Sequence, residues 1–205
     1  MQILAYGEDA LTLWALKNKL EYILQELKDT SDPAQCQAFF RPSFGRRGGE
    51  NSSQFGEFDF ILLTEKYIYL GESKWDGSSE KIIDGKLELR DEQRLRHDLF
   101  EFYIVEWFSG DYSNWQDFLK IAEKGIRLRK FAKPIAPEKS LLAKNLQTTL
   151  ELIKKRYPSL PTITNVLLYF HENLSADKLP QNASKDFIAV SIDYSKELTG
   201  NYIKL

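Results

Sequence analysis

The chain is expected to fold as an α/β protein, with a mixed central sheet flanked by helices on both faces. Three observations predict this. An amphipathic helical stretch opens the chain. Three extended runs follow in close succession. Three further helical stretches then separate these from two last extended runs. The resulting order is α-β-β-β-α-α-α-β-β.

The opening helix is marked by Leu13, Leu16, Leu20, Ile23 and Leu27, which recur at helical spacing with Lys17, Lys19, Glu21 and Glu26 elsewhere around the cylinder. One long helix is expected to end near Asp29, before Ser31-Asp32-Pro33. Gln37 to Phe44 reads as a strand broken by Pro42, and Gly45 to Ser53 reads as a flexible loop. Phe58 to Leu63 and Tyr67 to Trp75 are rich in aromatic and β-branched residues and read as a hairpin turning at Glu65-Lys66. Asp76-Gly77-Ser78-Ser79 is a further loop. Leu87 to Phe108 is the second long helix, with Leu95, Leu99, Phe102 and Val105 as its apolar stripe and Ser109-Gly110-Asp111 as its end. A shorter helix runs from about Trp115 to Lys124, and Trp107 and Trp115 are expected to pack in the core. A third long helix spans Ser140 to Tyr157, closed by Pro158 and Pro161. Thr164 to His171 and Phe187 to Asp193 read as strands.

The hairpin carries three charges in otherwise apolar runs: Asp59, Glu72 and Lys74. A strand face buries such groups only when they are paired or functional. With the turn centred on Glu65 and Lys66, Thr64 faces Tyr67 and Asp59 falls opposite Glu72. Side chains alternate along a strand, so Lys74 shares the face of Glu72. Opposed Cβ atoms lie about 5 Å apart, and two carboxylates at that distance repel. A divalent cation relieves the repulsion, and a hard oxygen pair suits Mg²⁺. An odd-length turn or a bulge would break this register. The competing role for the three charges is a structural ion pair on a half-exposed sheet face.

Composition narrows the rest. The 205 residues make one domain the default, with two small ones the alternative. A net charge of -2 gives no global basic field, so nucleic-acid binding would need a local patch. Cys36, the single cysteine, excludes an intramolecular disulfide and a thiolate zinc site, and fits a reducing compartment. The first residues lack a signal-peptide pattern, and no apolar run approaches the roughly 20 residues that cross a bilayer. A soluble, cytoplasmic protein without membrane attachment is expected. His97 and His171 are too few and too distant in sequence for a zinc site. Gly45 to Gly49 lacks the Gly-Lys-Ser/Thr ending of a nucleotide-binding loop.

The constellation of Asp59 with Glu72-Ser73-Lys74, followed by a helix bearing Gln93, resembles the PD-(D/E)XK nuclease superfamily, the restriction-endonuclease-like fold. Tyr6-Gly7-Glu8-Asp9-Ala10-Leu11 looks like the start of that superfamily's first helix, and Gly56-Glu57-Phe58-Asp59 looks like a stretch of its resolvase-like branch. Phe58 stands where the name-giving proline would be. The similarity covers roughly residues 6 to 97. It implies one nuclease-like domain over 1–205, with a catalytic core of about 1–108 and an extension of helices and two strands over 109–205. It implies Asp59, Glu72, Lys74 and Gln93 as catalytic residues. The metal would be Mg²⁺, with Mn²⁺ able to substitute, held by Asp59, Glu72 and the Ser73 carbonyl, with Glu8 joining directly or through water. Phosphodiester hydrolysis, DNA as partner and a homodimer as one arrangement follow from the same resemblance. Lys74 would position the attacking water and stabilise charge on the phosphate.

Each supporting residue has an ordinary alternative. Glu8 can serve as an acid at the positive end of a helix, and Gln93 as a solvated helix residue. Arg46 and Arg47, in the Gly-rich loop, are candidates for phosphate contact. Arg90, Arg94 and His97, at helical spacing, make a candidate basic stripe. Arg127, Arg129, Lys130 and Lys133 make a second cluster, equally readable as a solvated face. The rival function is a non-catalytic nucleic-acid-binding or assembly module on the same fold.

Overall fold

The computed structural model describes residues 1–45, 52–77, 82–83, 85–128, 134–183 and 186–205. In chain order the elements are β1 (Leu4–Ala5), α1 (Glu8–Asn18), α2 (Leu20–Glu26), β2 (Gln37–Phe40), β3 (Phe60–Leu63), β4 (Tyr67–Trp75), β5 (Ile82–Ile83), β6 (Lys86–Leu87), α3 (Asp91–Ser109), α4 (Trp115–Leu128), α5 (Leu141–Arg156), β7 (Thr162–His171), β8 (Asn182–Ala183), β9 (Phe187–Asp193), β10 (Leu198–Thr199) and β11 (Tyr202–Lys204). The α/β class and the mixed sheet are as expected. The chain divides into two compact units, each discontinuous in sequence. One holds 1–40, 59–89 and 163–205; the other holds 41–58 and 90–162.

The first unit is built on a five-stranded sheet in the order β2-β3-β4-β7-β9. β2, β3 and β4 are antiparallel neighbours, while β7 and β9 are parallel. Two strands from the C-terminal stretch, once grouped with an extension, therefore complete the same sheet as the hairpin. Alternation divides its apolar residues between two faces. Phe60, Leu62, Tyr69, Val166, Leu168 and Phe170 pack under Leu11, Trp14, Ile23 and Leu24 of the first two helices. On the other face, Leu167 and Tyr169 meet Leu87, Leu89 and Ala183 of the small ladder β5-β6-β8. Within this unit, helices cover one face and a β-ladder covers part of the other.

The expected single N-terminal helix is two. The break falls at Lys19 (φ -124°, ψ 15°), just after Asn18, whose side-chain amide donates to the Trp14 carbonyl. Asparagine competes in this way with helical continuation. The second strand stops at Phe40 rather than Phe44, because Arg41 takes a left-handed φ of 48° and Pro42 offers no donor. The hairpin turns as expected. The Thr64 amide donates to the Tyr67 carbonyl, and Leu63 faces Ile68.

One buried acid ties helix to sheet. Asp29, just past α2, accepts from the Ser31 amide (3.0 Å), the Ser31 hydroxyl (2.7 Å) and the Tyr69 hydroxyl (3.1 Å). Burial alone would raise its pKa, but these donors outweigh burial and hold the carboxyl below its ordinary value. Packing fixes a second position. Gly71 pairs with Phe60, and a Cβ on Gly71 would run into the Phe60 ring, which is fully buried.

The second unit is helical and aromatic. Phe44, Phe58 and Phe100 form a cluster with centroids 4.8 to 6.0 Å apart. Trp107, Trp115 and Phe118 form another at 4.9 to 6.4 Å, and both tryptophans are buried as expected. Ser140 caps α5 by accepting from the Ala143 amide. Lys154 donates to the Trp107 and Gly110 carbonyls at the end of α3, where a cation also suits the helix dipole.

Asp29→Ala leaves the buried Tyr69 and Ser31 donors without their acceptor. It should lower stability by about 2–4 kcal/mol at neutral pH, measured by urea unfolding. Because its folded pKa is depressed, the Asp29 contribution is present above about pH 4 and fades as pH falls through the folded pKa, so wild type and variant should converge in acid. Gly71→Ala should cost about 1–3 kcal/mol through overpacking. Phe60→Leu in the same chain should recover much of that loss; if the double variant is no better than the sum, the ring is not the obstacle.

Candidate functional site

The register that opposes the two acids is present. Phe60 pairs with Gly71 and Ile61 with Leu70, so the same alignment sets Asp59, one residue before β3, across from Glu72. Asp59 is fixed more directly as well: its Oδ2 accepts from the Ser73 amide at 2.7 Å. The strand pair thus continues past the end of β3 through a carboxylate in place of a carbonyl. Glu72 is 1% exposed, and Lys74 is buried too. Gly71 and Phe60, packed against each other, end the apolar part of the hairpin one residue before these charges.

Glu8 reaches the same place from the start of α1. Gly7 precedes it with φ 89°, a left-handed conformation that favours glycine and turns the chain into the helix. The Lys74 ammonium lies 3.3 Å from Glu8 Oε1 and donates to its neighbouring Ser73 carbonyl at 2.7 Å. Residues 8, 59 and 72–74 are thereby gathered at one end of β4. The charges are strongly coupled. The Asp59 pKa is pushed up to about 7, first by burial and then by repulsion from Glu72, with Glu8 adding to it. Lys74 and the Ser73 amide oppose the rise without cancelling it.

These donors are all hard oxygens, the chemistry that Mg²⁺ or Mn²⁺ prefers, and Mg²⁺ takes only one or two carboxylates plus waters. Asp59 and Glu72 meet that need. Among the described residues no group of three His, Cys, Asp or Glu side chains is placed to hold a metal ion. Glu8 is engaged with Lys74 instead, and the Ser73 carbonyl, an expected ligand, accepts from the Lys74 ammonium. The Ser73 hydroxyl is buried, without a hydrogen-bond partner among the described residues.

Other candidates fall differently. Gln93 lies in the first turn of α3, where its Oε1 accepts from the Arg90 amide at 3.1 Å, reaching back to the helix start. Its carboxamide oxygen serves the helix start. The stripe of Arg90, Arg94 and His97 does not form one basic face. Arg90 is exposed, and Arg94 is exposed and paired with Asp91. His97 is 0% exposed, its ring 4.7 Å from that of Phe58, because position 97 turns inward with Leu99 and Phe100. Arg46 and Arg47 lie outside the described residues, as do Arg129, Lys130 and Lys133.

Sequence reasoning missed Asp76, read only as loop. Its Oδ1 accepts from the Tyr194 hydroxyl (2.8 Å) and its Oδ2 from the Glu172 amide (2.7 Å), which clamps the end of β4 to the segments after β7 and β9. An acid directly after a strand was the available signal; its partners are too distant in sequence to be found.

Comparison with family models, with curated proteins and with solved structures found no match. Among the described residues no helix is long and apolar enough to cross a membrane.

The raised pKa of Asp59 has a testable sign. The folded protein holds this proton above the pH at which the unfolded chain releases it. Asp59 therefore costs nothing in acid and becomes increasingly destabilising as pH rises from about 4 to 7. Asp59→Asn keeps an oxygen that can accept from Ser73 and removes the charge. It should raise stability at pH 8 by about 2 kcal/mol and flatten the pH dependence between 4 and 7, read by thermal melts across that range. A variant less stable than wild type at pH 8 would show that the charge is compensated.

Proposed function

We propose that this chain is a metal-dependent nuclease that hydrolyses phosphodiester bonds in DNA, with a site of the PD-(D/E)XK type on a restriction-endonuclease-like sheet. One observation carries the reading: Asp59 and Glu72 oppose each other at the end of a hairpin, with Lys74 and Glu8 meeting beside them. The antiparallel meander β2-β3-β4, preceded by α1 and α2 and followed by helices and a further strand beside β4, suits that fold.

Asp59 and Glu72 would hold Mg²⁺, or Mn²⁺ in its place. When bound, the ion would lower the pKa of a coordinated water and screen the scissile phosphate. The chain's own groups do the remainder. Asp59 must be deprotonated to serve, so its raised pKa ties competence to neutral and alkaline pH. Lys74 holds a positive charge where phosphate oxygens would gain negative charge, and Glu8 and the Ser73 carbonyl fix the ammonium in place. Gln93, committed to the cap of α3, is assigned no chemical step.

A rival reading has one observation in its favour. The Glu8–Lys74 pair gives these charges a structural use, as expected in a non-catalytic nucleic-acid-binding or assembly module. Metal separates the two. Millimolar Mn²⁺ should raise the melting temperature of wild type but not of Asp59→Asn, because an ion that binds only the folded state stabilises it by mass action. Purified protein with Mg²⁺ or Mn²⁺ should cleave DNA, and Lys74→Ala should reduce the rate at least about 100-fold while keeping a native circular dichroism spectrum. Equal trace cleavage by wild type and variant on duplex, single-stranded and branched DNA would end the enzyme reading.

A further inference from the structure

The first unit contains a pocket of about 280 Å³ just beyond the end of β4. It begins one residue from the acidic cluster on both approaching segments: Gly7 and Trp75 line it, and their neighbours Glu8 and Lys74 form the ion pair. Strand alternation puts Trp75 on the α1 side of β4, where it packs against the core beneath the helices. Leu11 and Ile203 contribute apolar surface to the pocket. The Tyr6 ring stands edge-on to Trp75 at 5.6 Å and also meets Tyr202 at 6.2 Å.

Two features of these aromatics point to a ligand. Tyr6 is 62% exposed and Tyr202 50% exposed, so two large rings stand together in solvent beside a third. Their placement is also enforced. Tyr202 follows the tight β10–β11 turn at Gly200-Asn201, in which Gly200 has φ 62°. Tyr6 sits between β1, paired with β11, and the helix start at Gly7. Exposed rings held in fixed positions are a stacking platform prepared in advance.

The polar lining narrows the occupant. Glu172 and Asn201 line the pocket, and among the described residues its lining includes no lysine or arginine. A carboxylate without a cation repels phosphate and accepts from amino groups. A carboxamide both donates and accepts, which matches the edge of a base. The volume lies below the roughly 300 Å³ at which pockets for drug-sized ligands begin, and so suits one flat ring system.

We infer that this pocket receives an unpaired nucleobase, stacked against Tyr6, whose ring is flanked by Tyr202, with its amino edge toward Glu172. The inference rests on the nuclease reading for its substrate class and adds that the substrate is single-stranded where it enters. A base paired in a duplex cannot enter without leaving its stack.

The test uses the full chain in EDTA, so that binding is read without cleavage. Fluorescence anisotropy would compare a short labelled oligodeoxycytidylate with an abasic strand of the same length and with blunt duplex. Wild type should bind the base-bearing strand about 10-fold more tightly than the abasic strand. Tyr6→Ala and Tyr202→Ala, both at exposed positions, should each weaken binding of the base-bearing strand about 10-fold and leave the abasic strand unaffected. Equal affinity for the two strands, no binding of either, or equal losses on both in the variants would overturn the inference. A cleavage assay with Mg²⁺ keeps the two readings apart. Cleavage by a protein whose single-strand binding ignores Tyr6 and Tyr202 sinks the pocket alone. Base-dependent binding without any cleavage supports the pocket and sinks the nuclease.

Discussion

The hydrogen bond from the Ser73 amide to the Asp59 carboxylate is the constraint on which the site depends. It forms where β3 has ended and β4 continues, so the hairpin hands over from backbone pairing to a side chain. With the carboxylate bound to that amide, Asp59 cannot swing away from Glu72. The register of four residue pairs in the hairpin brings the acids to the same level, and this bond holds the first of them there. A slip of one residue would turn every β4 side chain to the opposite face and set Gly71 or Ser73, not Glu72, across from Asp59.

The remainder of the first unit serves that strand end. Gly71 lets the Phe60 ring close over the sheet immediately before the charges, which separates apolar packing from the polar cluster within one residue. Asp76 holds the strand from beyond, accepting from Tyr194 and from the Glu172 amide. Tyr69 is held through Asp29 to the segment after α2. β4 is thus fixed along its length by side chains drawn from widely separated parts of the chain, so a rigid frame carries the coupled charges.

Much of this was legible in the sequence because it follows from short-range rules. The aromatic and β-branched runs on either side of Glu65-Lys66 gave the hairpin, and period-two alternation then gave the pairing of Phe60 with Gly71. Helix α5 announced itself through Ser140 and Pro158. What escaped was decided by partners far away in sequence. The short strands at 4–5, 82–83, 86–87, 182–183, 198–199 and 202–204 have no periodicity to read, since two or three residues cannot display alternation. Arg90, Arg94 and His97 share helical spacing, yet spacing alone does not say which side faces inward; the ring of Phe58 decides that for His97. Gln93 was attractive as a polar residue on the right helix, but its place in the first turn gives it a capping partner three residues back.

The charge balance around Asp59 bears on whether this cluster is structural. A structural ion pair removes the cost of burying charge by matching each acid with a base. Here burial raises the Asp59 pKa, Glu72 and Glu8 raise it further, and Lys74, which also pairs with Glu8, and the Ser73 amide oppose the rise. The outcome is a carboxyl whose pKa is pushed up to about 7, a state that lowers stability at neutral pH. The hydrogen bond from Ser73 does not require the charge: a neutral asparagine at position 59 would keep an acceptor for that amide and relieve the repulsion. Under the proposed function, a divalent cation between Asp59 and Glu72 would turn that repulsion into binding energy.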